Sequence, residues 1–445
     1  MVDMDVSMDT RAFPGATHLS GAAVPRHWYN PIAALSLAVP PPLDVASDRL
    51  VTHEDFAWLW PSECLKIELR LGSYGKDATV PVPEAVHEFY RRYRATPLVR
   101  AHGLERYLRT TAEIYYKRED QNPGGSHKFN TALAQACYAA KERVSTLVTD
   151  TGAGQWGTAL ALACRQFGLN CVVFMVRKSF DEKPYRRHLM ELLGARVISS
   201  PSTETDVGNK VLAEDARSTG SLGIGMSEAI EFVRNHGESR LALGCMSYYA
   251  CMHQTVIGIE TAEQLRRIDR KPDVLIGCVG GGSNFVGFIS PFIEARLRGA
   301  QIDLIAVEPE DVPCLSRGVY RYDFADFNGQ TPRIAMYTLG HRFQPPPVHA
   351  GGLRYHGKTP TLSYLVKEKI VMPRAYSQRS VFEAGRLFLA CEGVLPAPES
   401  SHAVLAAIDE AERATAEHCR RVIVFCLSGH GYLDLAGYKD VLGLP

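Results

Sequence analysis

From residue 112 onwards, short β-branched and aromatic runs alternate with apolar patterns of helical period, and this alternation limits what the chain can fold into. Strand-like runs cover 113–118, 145–149, 171–176, 196–199, 274–279, 302–307 and 422–427. Helical patterns cover 130–142, 158–167, 184–193, 227–235, 253–268, 285–298, 381–391 and 403–419. Strands joined through helices pair in parallel, and a parallel sheet needs both faces covered. The expected fold class is therefore α/β, with helices on both faces of parallel sheets. At 445 residues the chain is too long for one ordinary core, so two domains are expected. The expected division is an extended arm over 1–50, an α/β domain over 51–270 and a second over 271–445, with the chain crossing between the two. Residues 1–25 are polar and turn-rich and are expected to be poorly ordered, while 28–44 reads as an arm lying on the body. Short helices are expected within 54–71 and one helix over 82–94; the Pro- and Gly-rich stretch 309–376 reads as irregular.

Charge and cysteine content exclude several function classes. The formal net charge is zero, so no basic surplus is present to hold nucleic acid or an acidic membrane. The eleven cysteines are scattered and never spaced C-x-x-C, which argues against a disulfide framework or a zinc site and for a reducing compartment. No apolar run reaches membrane-spanning length, and no apolar stretch follows a basic start as in a signal peptide. A cytoplasmic location is the expectation, and no resident metal cluster is expected.

Glycine loops follow three of the strand-like runs. The first, GAGQWG at 152–157, fits the G-x-G-x-x-G dinucleotide fingerprint but lacks the acid expected about twenty residues on; Arg177-Lys178 stand there instead. A nicotinamide site using that arginine is one reading. The second, GGGSN at 280–284, lets backbone N–H groups converge on a phosphate, with the dipole of the following helix behind them; a plain tight turn is the alternative. The third is SGHG at 428–431. Ligands bind at the C-terminal ends of parallel strands, so these loops suggest one shared cleft. The stretch NPGGSHKFN at 122–130 joins them. Ser126 reads there as a helix N-cap, and Lys128 lies at the loop-to-helix junction. Lys128 is either a solvated first-turn lysine or, desolvated and deprotonated, a nucleophile towards an aldehyde.

Taken together, GSHKFN (125–130), TGAGQWG (151–157), KPYRR (183–187), GCVGGGSN (277–284), HAGGLRYHG (349–357), PAPES (396–400) and SGHG (428–431) resemble the tryptophan synthase β chain in its longer second type, within the fold-type II pyridoxal phosphate enzymes. The resemblance implies that Lys128 forms a Schiff base with pyridoxal 5′-phosphate and later moves the substrate α-proton. It places His127 by the cofactor phosphate, and Gly280, Gly281, Gly282, Ser283 and Asn284 as donors to that phosphate. Asn130 and Gln155 join the cofactor-binding set, Glu399 lies near the ring, and Ser428 faces the pyridine nitrogen. Thr151, Gly152, Ala153, Gly154 and Gln155 would grip the amino-acid carboxylate. A serine hydroxyl is a weak donor, which favours β-elimination and β-replacement over transamination. The implied reaction is β-replacement, in which L-serine loses its β-hydroxyl through an aminoacrylate and an indole-like nucleophile adds at Cβ. A subdomain over 143–230 would close over the site. A homodimer is the family expectation. The resemblance also implies a monovalent-cation site bordered by Glu308-Pro309, with a simple strand end as the equal alternative.

The sequence departs from the family at Asp150, where a glutamate assists hydroxyl loss and orients indole. The shorter side chain loses roughly 1.5 Å of reach, and a misplacement of about 1 Å can cost about a hundredfold in rate. Either the backbone adjusts, or the pocket takes another nucleophile or L-threonine, or water wins and the enzyme is a serine/threonine deaminase. Met246, Ser247, Tyr248, Tyr249, Cys426 and Tyr432 also differ. Arg354, assigned to the substrate-binding set, stands where the shorter family type has an aspartate, which argues against tight dependence on an α-subunit. His402 and His430 read as structural, and 185–188 as a solvated basic face or interface.

Overall fold

The computed structural model describes residues 24–33, 39–73, 79–346 and 348–445, so most of the expectation for residues 1–25 lies outside the described residues. Two parallel sheets form the framework. The larger runs in the order Met372–Tyr376, Asp303–Pro309, Val274–Cys278, Val422–Leu427, Glu113–Arg118, Leu98–Arg100. All its pairings are parallel except the last. The smaller runs Arg196–Ser200, Asn170–Val176, Thr146–Thr151, Ser239–Leu241 and is parallel throughout. Sheet membership cuts across the 270/271 division, because Glu113–Arg118 inserts beside Val422–Leu427. The four-stranded sheet also passes beyond residue 230, taking Ser239–Leu241 as its last strand.

Why these segments are strands is plain from Val422–Leu427. Its VIVFCL sequence is β-branched and apolar on both faces, and residues 423–427 are wholly buried between strands on both sides. Met372–Tyr376 contains a proline and lies at the sheet edge, where a missing N–H costs no ladder bond. The expected irregular stretch 309–376 is more ordered than its composition suggests. It holds an antiparallel hairpin, Val319–Phe324 with Arg333–Thr338, the helix Pro360–Lys367 and the edge strand. The expected helix over 253–268 divides into Tyr248–His253 and Thr255–Arg267. The arm packs as expected at Trp28, which is fully buried and has its ring centroid 4.5 Å from that of His253.

One buried polar network fixes the start of the 119–130 segment. Arg94 donates Nε–H to Glu260 at 2.7 Å and Nη2–H to Glu119 at 2.8 Å. Its Nη1 reaches Asn122 at 3.1 Å and Asn130 at 2.8 Å. Lys117, also fully buried, adds a bond to Glu260 at 2.7 Å. Removing one member of a buried ionic set leaves uncompensated charge in the core. Arg94→Met is therefore expected to destabilise the protein by about 3–5 kcal/mol in urea unfolding; a loss under about 1 kcal/mol would show that the network is not needed.

Candidate active site

The loops at the C-terminal ends of both sheets meet around Lys128. Strand Glu113–Arg118 leads through the 3-10 turn Glu119–Gln121 to Lys128, which caps helix Phe129–Lys141. Ser126 is not the cap; instead it bridges Gly429, and its hydroxyl is buried with no hydrogen-bond partner. The His127 N–H donates to the carbonyl of Ser428 at 2.9 Å, and the His430 N–H to that of Gly125 at 3.1 Å. These bonds tie the lysine loop to the loop after the central strand.

Lys128 lines two adjoining compartments. The first is formed by His127, Gly280 to Asn284, Cys278, Cys245, Gly352, Leu353, Gln155, Glu399 and Ser428. Helix Ser283–Leu297 starts on this wall, with Gly282 at φ 102°, where an L side chain would be strained. The second is formed by Asp150 to Ala153, Gln155 and Gly281, with an apolar wall of Trp156, Leu222, Met226 and Leu243. The helix Gln155–Phe167 begins there. The turn Gly351–Leu353 sits between the compartments: a Cβ on Gly280 would strike the Gly352 carbonyl, and one on Gly152 the Gly351 carbonyl.

Several buried polar atoms facing this region have no protein partner, namely His127 Nδ1, Gln155 Nε2, Asn284 Oδ1 and Glu399 Oε2. Buried polar groups are nearly always paired, so this clustering marks a place built for a polar ligand. Glu399 Oε1 accepts the Gly352 N–H at 2.8 Å. The Ser428 hydroxyl is held by Ser400 at 2.7 Å and lies 3.4 Å from the Cys278 thiol. Burial, then the charge of Lys128, pushes the His127 imidazole down to about 3, so it is neutral at pH 7. Burial pushes the Asp150 carboxyl up to about 7, against its backbone hydrogen bond and the Lys128 charge.

Not every expected residue faces the cleft. Asn130 lies below it, donating to Glu119 at 3.1 Å and Gln254 at 3.0 Å and accepting from Arg94. Gly154 packs on Arg186 behind the loop. Arg354 lies in a separate recess with Gly152, Gly351 and Leu222, donating to Ser179 Oγ at 3.1 Å. The 185–188 cluster is not a solvated face at Arg186, which is buried and paired with Asp434 at 2.7 Å, while Tyr185 is exposed. His402 Nδ1–H donates to the Pro398 carbonyl of its own helix at 2.9 Å. Of the departures, Met246 and Tyr249 line a neighbouring apolar cavity that shares Leu243 with the cleft, Cys426 is inside the sheet, and Tyr432 is exposed. Cys245, Cys278, Gly352 and Tyr355 line the cleft without having been singled out; the AGGLRY run around Gly352 was the available signal.

The pyridoxal-phosphate dependent enzyme family matches residues 90–429. The tryptophan synthase beta chain of Thermococcus onnurineus is 50% identical over 95% of this chain and 95% of its own. Tryptophan synthase beta chain 2 of Aeropyrum pernix is 52% identical over 95% and 94%, and that of Thermotoga maritima 48% identical over 95% and 99%. Among solved structures, threonine deaminase isoform 2 of Solanum lycopersicum superposes with a TM-score of 0.58 at 16% identity, covering 79% of this chain and 84% of that one. A fungal L-serine ammonia-lyase from Rhizomucor miehei gives 0.58 at 18% identity, covering 78% and 98%. At these identities the two structures share the fold.

The Asp150 carboxyl gives a pH signature. Its folded value, about 7, lies above the ordinary 3.8, so the folded state holds the extra proton between those values. Stability from this group is full below pH 4 and is lost as pH rises to about 7, by about 4 kcal/mol at most. Asp150→Asn is expected to gain stability relative to wild type across that window, read by urea unfolding of cofactor-free protein. Parallel pH profiles would contradict a buried, protonated Asp150.

Proposed function

Because the chain belongs to the pyridoxal-phosphate dependent enzymes and, within them, to the tryptophan synthase β chains, we propose that the Lys128 cleft joins L-serine to indole, giving L-tryptophan and water, with pyridoxal 5′-phosphate as cofactor. One observation carries this reading: a single lysine lines both a compartment walled by a glycine turn and a compartment walled by a second helix-starting loop and an apolar face.

The residues present fit the cofactor. The 279–283 turn and the start of helix Ser283–Leu297 suit a phosphate, with neutral His127 alongside. Asn284 Oδ1 and Glu399 Oε2 are buried and unpartnered at this compartment. The cofactor, when bound, supplies an electron-accepting ring that stabilises negative charge at the amino-acid Cα. In this reading Gly280, Gly281, Gly282, Ser283 and Asn284 hold the phosphate, and Ser428 presents one hydroxyl, not a carboxylate, to the ring. Thr151, Gly152, Ala153 and Gln155 hold the amino-acid carboxylate at the start of helix Gln155–Phe167, where the unpartnered Gln155 Nε2 is available to donate.

Lys128 Nζ takes the proton from Cα. Asp150, whose burial raises its carboxyl to near neutrality, gives a proton to the β-hydroxyl as it leaves as water; ionised, it accepts a hydrogen bond from the indole N–H and takes up the proton that indole C3 loses on bonding to Cβ. Leu222, Met226, Leu243 and Trp156 pack the indole and keep water from Cβ. Asp150 is buried, with 6% of its surface exposed, and lines the same compartment as Lys128.

A homodimer and freedom from a tight α-subunit complex follow the family pattern, the latter supported by Arg354. A cytoplasmic location is supported by eleven unpaired cysteines. No described helix is long and apolar enough to cross a membrane.

The test is product analysis by mass spectrometry of cofactor-loaded protein given L-serine with and without indole. Tryptophan formed at the expense of pyruvate is expected, and Asp150→Asn should lower its rate by about a hundredfold or more. Pyruvate whose yield does not fall when indole is supplied would overturn the synthetic reading in favour of a deaminase.

A further inference from the structure

Glu308 and Lys358 form an ion pair in the core beside the 279–283 turn, and the chemistry above uses neither. Both side chains are fully buried, with Lys358 Nζ 3.4 Å from Glu308 Oε2. Glu308 lies near the end of strand Asp303–Pro309. Its carboxylate accepts the Leu315 N–H at 3.0 and 3.1 Å, the Ser316 N–H at 2.9 Å and the Ser316 hydroxyl at 2.9 Å. Lys358 Nζ donates to the Val279 carbonyl at 3.1 Å, the carbonyl directly before Gly280. The next residue continues the clamp, as the Thr359 N–H donates to the Gly281 carbonyl at 2.8 Å. Two carbonyls of the glycine turn are thus pulled towards Lys358 and Thr359. A peptide carbonyl held on one side constrains the neighbouring N–H groups to the other, the side of the Lys128 cleft.

A single positive charge set between a backbone carbonyl and a carboxylate has the oxygen environment that a hard monovalent cation would use. Here a covalently attached ammonium stands in that place. A dissolved ion at the same point would meet the Lys358 charge, and the Glu308 charge is already compensated. The residues around Glu308 therefore do not fit a resident alkali-metal ion.

We propose that the Lys358 ammonium is a built-in cation for the phosphate-binding turn, so that the protein needs no dissolved monovalent cation to hold its cofactor or to turn over. Lys358 is a positioning residue that acts through Val279 on Gly280 to Gly282. The proposal rests on the cofactor reading given above, and its readouts separate the two.

Cofactor-loaded wild-type protein is exchanged into a buffer whose only cation is tetramethylammonium, then titrated with potassium, sodium, caesium or ammonium chloride, with tetramethylammonium chloride as the ionic-strength control. The visible absorption of the bound cofactor, the melting temperature and the rate of tryptophan formation are followed. All three are expected to be insensitive to the identity of the cation, the rate within about twofold. Lys358→Met is expected to lose about tenfold or more in rate in tetramethylammonium, and to recover saturably with potassium or ammonium, its melting temperature rising with the added ion. A wild-type protein that gains several-fold in rate, or shifts its absorption, with potassium overturns the proposal. So does a folded Lys358→Met protein indifferent to every cation. The wild-type titration decides the matter even if Lys358→Met does not fold. Absence of tryptophan in every buffer would count against the reaction assigned above, while the absorption and melting data would still decide the cation question.

Discussion

The Arg94 guanidinium holds the molecule's most consequential loop in place. Two carboxylates, Glu119 and Glu260, and two amides, Asn122 and Asn130, converge on it in the core. Glu119 and Asn122 come before Lys128 and Asn130 comes after it, so the lysine is bracketed by residues tied to one fixed cation. Burying charges is costly, and such a set persists only when each charge is compensated with good geometry. What it provides here is position: a long flexible side chain whose backbone cannot wander. Glu260 brings in helix Thr255–Arg267, and Lys117 the strand before the loop, so the anchor joins three elements.

Around that anchor the fold performs one geometric task. Parallel strands deliver their C-terminal ends to one edge of each sheet, and the two edges face a common cleft. Helices Phe129–Lys141, Gln155–Phe167 and Ser283–Leu297 all begin there, so backbone N–H groups from three directions point at one place. The turn Gly351–Leu353 fills the gap between the two glycine loops so closely that neither Gly152 nor Gly280 has room for a Cβ. A carboxyl near neutrality, a neutral imidazole and a lysine then share a small volume; burial pushes the Asp150 carboxyl up and the His127 imidazole down, and the Lys128 charge lowers both.

Much of this was legible in the sequence because it depends on local signals. The VIVFCL run could only be a buried strand, and glycine loops after such strands named the cleft before any contact was known. Lys128 and 280–284 follow from that logic together with the family resemblance. What the sequence concealed depends on long-range contact. Asn130 reads as a site residue through the family resemblance, yet its amide is engaged by Arg94, thirty-six residues away. Arg186 reads as a surface cation in a basic cluster, but its partner Asp434 lies 248 positions along the chain. The hairpin within 309–376 was hidden by the prolines and glycines around it, although Val319–Phe324 alternates in burial along its length. Cys245 carries no pattern at all; only the packing of loops from different strands brings it to the cleft.

The central claim is that Lys128 is the group that binds the cofactor covalently. Its most direct test is borohydride reduction of the cofactor-loaded protein, followed by digestion and peptide mass spectrometry to find the lysine carrying the fixed pyridoxyl group. The account predicts stoichiometric modification at Lys128 and none at Lys117 or Lys358, whose ammonium groups are committed to buried partners. Modification at any other lysine, with Lys128 recovered unmodified, would contradict it.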